Sequence, residues 1–237
     1  MRTVRTVRAH ARGRTVGTMR IVIAGGHGQI ALRLERLLAA RGDEVAGIIR
    51  NPEQADELRA SGAEPVVLDL ESASVDEVAA VLEGADAAVF AAGAGPGSGA
   101  ARKETVDRGA AVLFADAAER AGVRRHIVVS SMGADPDHQG DEVFDAYQRA
   151  KGEADAYVRS RAALDWTILR PGMLTNDAGT GLVRLAGSTG RGPVPRDDVA
   201  AVLAELLDTP ATAGLTLELI AGPDPVADAT KAAAGTA

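Results

Sequence analysis

Seven short apolar runs, separated by segments with helical periodicity, restrict the fold of this chain more than any other feature of its sequence. Several of the runs are rich in Val and Ile and almost continuously apolar, which is typical of strands covered on both faces. The runs span residues 20–24, 44–49, 64–68, 86–91, 124–131, 165–170 and 215–220. The helical patterns between them span residues 28–40, 52–60, 75–82, 101–121, 141–162 and 197–207. This strict alternation predicts an α/β fold with a doubly wound parallel sheet of about seven strands and right-handed crossovers.

The chain length of 237 residues fits one α/β domain better than two. We predict that residues 19–222 form this domain, because Met19 directly precedes the first strand. Residues 1–18 carry five arginines and no acid, and we expect a disordered basic extension. The alternatives for this segment are a contact with nucleic acid or a transit peptide. Residues 223–237 are also expected to be disordered.

Composition excludes several classes of function. Without residues 1–18, 21 basic side chains face 33 acidic ones, so the domain should repel nucleic acid. The absence of cysteine excludes disulfides, thiolate zinc sites and cysteine nucleophiles, and the four histidines show no metal-ligand spacing. No apolar run approaches the length of a membrane span, and no secretory signal is visible. We therefore expect a cytoplasmic monomer or homodimer without a metal site.

A glycine-rich turn, Gly25-Gly26-His27-Gly28-Gln29-Ile30-Ala31, joins the first strand to the first helix. Gly25 would allow the tight turn, Gly28 would let a pyrophosphate approach the backbone, and Ala31 would let the helix pack closely. The exposed N–H groups and the helix dipole then face the phosphates. Because glycine is common in turns, the strand–turn–helix context gives the motif its weight. The turn predicts a Rossmann-type dinucleotide site formed by Gly25, Gly26, His27, Gly28, Gln29 and Ile30.

The end of the second strand predicts the form of the cofactor. An Asp or Glu at this point binds the 2′-hydroxyl of NAD, whereas an Arg accommodates the 2′-phosphate of NADP. This chain has Arg50 there, and a guanidinium group fits a phosphate well. The sequence therefore favours NADP(H), with NAD as the alternative. A solvated surface arginine is the other interpretation of Arg50 in a chain with 23 arginines.

Two further strand ends are predicted to border the cofactor. Asp69 and Leu70 follow the third strand, where the carboxylate would accept a bond from the adenine amino group or cap the next helix. Ala91, Ala92 and Gly93 follow the fourth strand, where small residues would let the chain pass beside the cofactor ribose. The alternative for the second group is an ordinary glycine-rich loop.

Tyr147 and Lys151 lie four residues apart in a helical segment, which places both on one helix face. An ammonium group beside a phenol favours the ionised form, so the tyrosine can exchange a proton next to a hydride transfer. The alternative is an accidental surface pair. The chain has only three lysines and two tyrosines, which makes an accident a poorer explanation.

These motifs resemble the short-chain dehydrogenase/reductase superfamily. The resemblance is to its atypical branch of single-domain NAD(P)-binding proteins, which includes NmrA-like and flavin-reductase-like members, and it covers about residues 19–220. It is carried by residues 25–31, 49–52, 68–70, 128–134, 147–151 and 165–172. It implies a reaction class but no particular substrate.

The superfamily usually has an active-site set of Asn, Ser, Tyr and Lys. The resemblance implies Tyr147 as the acid/base and Lys151 as its electrostatic partner, which also binds the nicotinamide ribose. Ser131 would polarise the substrate oxygen, with Ser130 as the alternative. Asp107 stands where Asn is expected; this exchange alters the proton relay, and the alternative is a structural hydrogen bond to a neighbouring strand.

The resemblance also places the backbone of Pro171 and Gly172 beside the nicotinamide, and it implies that a mobile loop at 174–187 closes over the substrate. It implies an NAD(P)-dependent oxidoreductase or epimerase that acts on an unknown small molecule. The alternatives are a non-catalytic NADP(H)-binding redox sensor and an NADPH-dependent flavin or quinone reductase.

Overall fold

The computed structural model describes residues 18–95 and 97–235 of the chain. Apart from Thr18, the basic segment 1–18 lies outside the described residues, so its disorder stays a prediction.

All seven predicted strands lie side by side in one parallel sheet. With all strands numbered in chain order, these are β1 Arg20–Ala24, β2 Glu44–Ile49, β3 Glu64–Val67, β4 Ala87–Phe90, β5 Arg125–Val129, β6 Asp165–Pro171 and β10 Leu215–Ala221. Their order across the sheet is β3-β2-β1-β4-β5-β6-β10. Ala24 of β1 pairs with Phe90 of β4, and Phe90 pairs with Val128 of β5. The loops that follow these three strands therefore leave the sheet at the same edge.

Helices cover both faces of the sheet. They are α1 Gln29–Ala40, α2 Ala55–Ala60, α3 Val75–Leu82, α4 Ala100–Arg102, α5 Ala111–Ala121, α6 Val143–Arg159, α7 Arg196–Asp208 and α8 Val226–Ala234. Successive side chains of a strand point to opposite faces. Accordingly, Ile21 and Ile23 of β1 join one core layer, which includes α1 and α7, and Val22 and Ala24 join the other, which includes α3 and α5. The fold is a single Rossmann-like α/β domain, as predicted.

The edge of the sheet beyond β10 differs from the prediction. Within the described residues, β8 Leu182–Ala186 pairs antiparallel with β10, and β11 Asp224–Pro225 pairs with β8, so this sheet has nine strands. Two short strands, β7 Met173–Thr175 and β9 Pro193–Pro195, form a separate ribbon. Much of the segment 174–187 is therefore strand rather than the expected loop, because Val183 and Leu185 turn into the core while Leu182 and Arg184 stay exposed.

The prediction that residues 223–237 are disordered was wrong for the part of this segment that the structure describes. Residues 226–234 form α8, which packs against β8 and α7. Alanine has the highest helix propensity, and Ala229, Thr230 and Ala233 bury one face of this helix. The low-complexity appearance of the segment concealed this face, because its apolar side chains are mostly alanines.

The predicted helix 101–121 is divided. A π-helical segment, Lys103–Ala110, lies between α4 and α5. π-Helical turns are rare and occur often at functional sites. Here the segment carries Asp107 on its buried side.

Candidate active site

The turn between β1 and α1 exposes backbone where a diphosphate would bind. Gly25 has φ +79°, and a Cβ there would lie 2.6 Å from the Cα of Ala92. Gly28 is the N-cap of α1 and supplies no side chain to the first helical N–H groups. A Cβ on Gly28 would lie 3.0 Å from the carbonyl oxygen of Gly25. The first N–H groups of α1, which follow Gly28, therefore have no side-chain cap and fit an anionic phosphate group.

A cavity of about 390 Å³ opens beside this turn. Nine of the predicted cofactor residues line it, namely Gly25, His27, Gly28, Arg50, Asp69, Leu70, Ala91, Ala92 and Gly93. The carboxyl ends of β1 to β4 thus converge on one cleft, which is the position where open α/β sheets bind their ligands. Their role in holding the cofactor remains a prediction from this placement.

The other predicted cofactor residues lie outside the cavity lining. Gly26 faces the protein interior, where a Cβ would lie 2.8 Å from the Cα of Gly47. Gly172 packs in the same way, since its Cβ would lie 2.2 Å from the carbonyl oxygen of Gly192. These two glycines are explained by close backbone packing. Gln29, Ile30, Pro171 and Lys151 also lie beyond the cavity.

Arg50 shares an acid with a second arginine. Its guanidinium donates to Glu71 Oε2 at 2.9 Å, and Arg102 donates to the same oxygen at 2.6 Å. Thr105 donates to Glu71 Oε1, and this bond together with the two arginines lowers the pKa of the Glu71 carboxyl. The Arg50 side chain remains 55% exposed and lines the cleft. Glu71 and Arg102 were not among the predicted site residues. Glu71 directly follows the predicted Asp69-Leu70 pair, whereas no sequence motif marks Arg102.

The Asp69 side chain fixes the turn after β3. Its Oδ1 accepts a bond from the N–H of Glu71 at 3.0 Å, and its carbonyl accepts from Ala73 at 2.9 Å. The following helix α3 is capped instead by Ser74. Asp69 therefore stabilises the loop rather than the helix, and it lies on the cavity wall.

A buried carboxyl lies beneath the glycine-rich turn. Glu35 of α1 is fully buried and accepts a bond from the Ser61 hydroxyl at 2.5 Å. Its other oxygen lies 3.1 Å from the point where a Cβ on Gly26 would stand. Burial raises the pKa of Glu35 to about 7, although the Ser61 bond and Arg36 act in the opposite direction.

The predicted catalytic side chains Tyr147, Lys151 and Asp107 converge between α6 and the π-helical segment. Lys151 donates to the carbonyl oxygen of Val129 at 3.1 Å, and its Nζ lies 3.5 Å from Asp107 Oδ1. The same Nζ lies 6.0 Å from the ring centroid of Tyr147, which is half-buried. Asp107 also accepts a bond from the N–H of Ala94 at 3.3 Å. The buried Asp107 thus has two partners: the ammonium of Lys151 and the backbone of the loop after β4.

The two serines after β5 have different surroundings. The Ser130 hydroxyl is buried and donates to Asp155 Oδ2 at 2.9 Å. Asp155 is fully buried and also binds Arg170 at 2.8 Å; burial nevertheless raises its pKa. Ser131 is half-buried, and its hydroxyl lies 3.4 Å from the carbonyl oxygen of Met132. Ser130 is therefore committed to a structural network, which leaves Ser131 as the candidate for substrate contact.

Comparison with known proteins defines the family. The model of a family described as NAD(P)H-binding matches residues 25–210. A Bacillus subtilis protein named as an uncharacterized sugar epimerase (YhfK) is 37% identical over 214 residues, which cover 90% of this chain and 99% of the relative. The chain belongs to the NAD(P)H-binding family. This membership confirms the predicted nicotinamide cofactor and the resemblance to single-domain Rossmann-type NAD(P)-binding proteins.

Solved structures agree with the family assignment. A candidate NAD-dependent epimerase/dehydratase from Bacillus halodurans superposes with a TM-score of 0.83 at 38% identity, and the match covers 90% of this chain and 99% of that one. ChuY, named an anaerobillin reductase from Escherichia coli O157:H7, superposes with a TM-score of 0.70 at 27% identity over 85% of this chain and 97% of that one. The structural neighbours of this chain thus include one protein named as an epimerase/dehydratase and one named as a reductase.

Between residues 18 and 235, Pro96 excepted, no three metal-ligating side chains lie together. No helix in this range is long and apolar enough to cross a membrane.

Proposed function

We propose that this protein is an NAD(P)H-dependent oxidoreductase that reduces, or reversibly oxidises, a small carbonyl or alcohol substrate, with Tyr147 as the proton donor and acceptor. The arrangement of Lys151 carries this proposal. Its ammonium is held between Asp107 and the Val129 carbonyl, is only 5% exposed, and lies near the Tyr147 ring. A buried lysine fixed beside a half-exposed tyrosine, at the same edge of the sheet as the cofactor cleft, suits proton transfer.

NADP(H) is the proposed form of the cofactor. Arg50 and Arg102 bring two positive charges to the rim of the cavity, and Glu71 compensates only one of them. The remaining positive charge and the exposed guanidinium of Arg50 suit a 2′-phosphate. The alternative is NAD, which has no 2′-phosphate to bind this positive charge.

The residues of the chain have distinct roles in the proposed reaction. The nicotinamide supplies a hydride when bound, so the electron pair of the substrate carbonyl moves onto its oxygen as the carbon accepts the hydride. Tyr147 then gives its hydroxyl proton to that oxygen and becomes a phenolate. Lys151 stabilises the phenolate, and Ser131 donates a hydrogen bond to the same substrate oxygen. Reversal of these roles gives the oxidation, which is also the first half of an epimerisation.

A second candidate function is reduction of a planar conjugated acceptor such as a flavin or quinone. Phe144 is 62% exposed, and its ring centroid lies 6.1 Å from that of Tyr147. The other two phenylalanines, Phe90 and Phe114, are fully buried. An exposed aromatic ring beside the candidate acid offers a stacking surface for a flat substrate. Such an acceptor needs no proton from Tyr147 during hydride transfer. The third alternative, a non-catalytic redox sensor, does not require a lysine buried beside a tyrosine.

The test combines a substrate screen with one matched pair of variants. NADPH oxidation is first followed with panels of carbonyls, quinones and flavins. Tyr147→Phe should then lower kcat for a carbonyl substrate by about 10²–10⁴-fold, because it removes the transferred proton. Tyr157→Phe is the control, since its hydroxyl binds Asp116 on the helix α5. Full activity of Tyr147→Phe with every acceptor that is reduced would refute the assigned role of Tyr147.

A further inference from the structure

An Asp at position 107, in place of the Asn that the resemblance implies, adds a negative charge next to Lys151. The resemblance implies an uncharged Asn here, whereas this chain places a carboxylate 3.5 Å from the Lys151 ammonium. Opposite charges at this distance form an ion pair with no net charge. A neutral pair favours a nearby phenolate much less than a lone ammonium does. Lys151 and Asp107 alone would therefore be a weak partner for Tyr147.

A second lysine approaches the same carboxylate from the π-helical segment. Lys103 Nζ lies 3.9 Å from Asp107 Oδ2 and donates to the carbonyl oxygen of Gly95 at 3.1 Å. It also lies 5.2 Å from the ring centroid of Tyr147, closer than Lys151 does. Lys103 is 8% exposed. Two of the three lysines of the chain thus converge on one buried acid beside the candidate catalytic tyrosine.

We infer that Lys103 is a positioning residue of the active site, which compensates the charge of Asp107 and so restores a net positive charge beside the Tyr147 phenol. This inference rests on the proposed function of Tyr147. The cluster of Lys103, Asp107 and Lys151 has a formal charge of +1, which is the charge that Lys151 would supply beside an uncharged Asn. The contact of the Lys103 ammonium with the ring face also orients the phenol.

Several other charges around this cluster are paired with one another, whereas Arg149 of α6 donates to the carbonyl oxygens of His138 and Gly140. On α6, Asp155 is paired with Arg170 of β6 and lies one turn beyond Lys151. On the π-helical segment, Arg108 is bound by Glu104 and by Glu153 of α6.

Two further groups complete the surroundings of the cluster. At the start of α6, Asp145 is held by His138 at 2.8 Å, and this bond lowers the pKa of Asp145. Arg102, beside Lys103 in sequence, shares Glu71 with Arg50 at the rim of the cavity. Within the described residues, the cations that lie over the Tyr147 ring are the two lysines of this cluster.

A charge-compensation cycle tests the inference through the pH dependence of turnover. Lys103→Met should shift the midpoint of the kcat/KM profile upward by about one pH unit, because a phenolate beside the cluster loses a positive neighbour. Asp107→Asn should shift the midpoint downward. The double variant should return close to the wild-type midpoint, since its site again carries one positive charge. Lys231→Met, at an exposed position on α8, is the control for loss of a lysine.

A titration that needs no turnover gives an independent readout. In a Tyr157→Phe background Tyr147 is the sole tyrosine, so phenolate absorbance reports on it directly. Phenolate formation should move to higher pH with Lys103→Met, to lower pH with Asp107→Asn, and back with both. A structural role alone would lower the Tm of Lys103→Met without this pattern.

The outcomes of these experiments distinguish a failure of the role inferred for Lys103 from a failure of the function proposed for Tyr147. If Tyr147→Phe abolishes turnover but the Lys103→Met midpoints in both assays match those of Lys231→Met, the inference is refuted and the proposed function stands. If Tyr147→Phe retains full turnover, the proposed function fails; the absorbance titration then still decides whether Lys103 and Asp107 compensate each other. Opposite shifts that cancel in the double variant support the inference.

Discussion

Lys151 of α6 and Asp107 of the π-helical segment form a buried ion pair, with 3.5 Å between Nζ and Oδ1 and side chains only 5% and 1% exposed. Removing two charges from water is costly, and such pairs are therefore weak evidence for a purely stabilising role. The pair lies at the carboxyl edge of the sheet, next to the half-exposed Tyr147. In the proposed function, the pair serves the chemistry at this edge.

Lys151→Arg should lower kcat at least tenfold although the positive charge is kept. The guanidinium is a wider, planar group, and the space between the Val129 carbonyl and Asp107 accommodates a compact ammonium. The measurement is kcat with the best substrate of the screen, alongside Tm to show that the variant folds. Lys231→Arg is the matched control, and an unchanged kcat for Lys151→Arg would exclude a specific ammonium contact.

Arg50→Ala should weaken NADPH binding about tenfold or more while changing NADH binding less than twofold. The reason is the loss of a guanidinium that suits a 2′-phosphate, a charge-assisted contact worth about 1.5–3 kcal/mol. Fluorescence titration with both dinucleotides measures the effect. Arg59→Ala, in an exposed pair with Asp56, serves as the control. Equal losses for both dinucleotides, or none, would contradict the proposed preference for NADP(H).

The pH dependence of stability should contain a contribution from Glu35. Burial raises its pKa from the ordinary 4.5 to about 7, so the folded protein holds a proton that the unfolded chain has already released. Its stabilising contribution is therefore fully present below pH 4.5 and is lost as the pH rises through about 7.

Glu35→Gln removes this titration while preserving the acceptor for Ser61. The variant should be more stable than the wild type at pH 8 by about 2–3 kcal/mol, with the difference vanishing near pH 4.5. Denaturant unfolding across this range measures it, with the exposed Glu83→Gln as control. A constant difference at every pH would show that Glu35 does not titrate in this window.

The sequence predicts the parallel part of this fold well because its signals are local. The bounds of β1 and β2 agree with their apolar runs, and α3 spans the predicted residues 75–82. The glycine-rich turn is recognisable because Gly25 and Gly28 satisfy backbone requirements that no other residue meets as well. These features depend on neighbours within a few residues.

The parts that the sequence did not predict depend on distant contacts. Leu182 to Ala186 become a strand because β10 supplies the hydrogen-bonding edge. Helix α8 forms because its small buried face meets β8 and α7. The Lys103–Asp107 contact has helical spacing, but only long-range packing brings Tyr147 and Lys151 of another helix beside it. Long-range packing, rather than local propensity, determines all three.

The most direct test of the account is a titration of NADPH against Gly25→Ala and Gly84→Ala. Both glycines have a positive φ, +79° and +74°, so alanine strains the backbone to a similar extent at each. Only at Gly25 would the new Cβ meet a neighbour, the backbone of Ala92 at 2.6 Å, whereas it meets nothing within 4 Å at Gly84. We predict saturable NADPH binding by the wild type and by Gly84→Ala, and at least a tenfold weaker affinity for folded Gly25→Ala. Equal affinities in all three proteins, or no binding by the wild type, would contradict the assignment of this turn as the cofactor site.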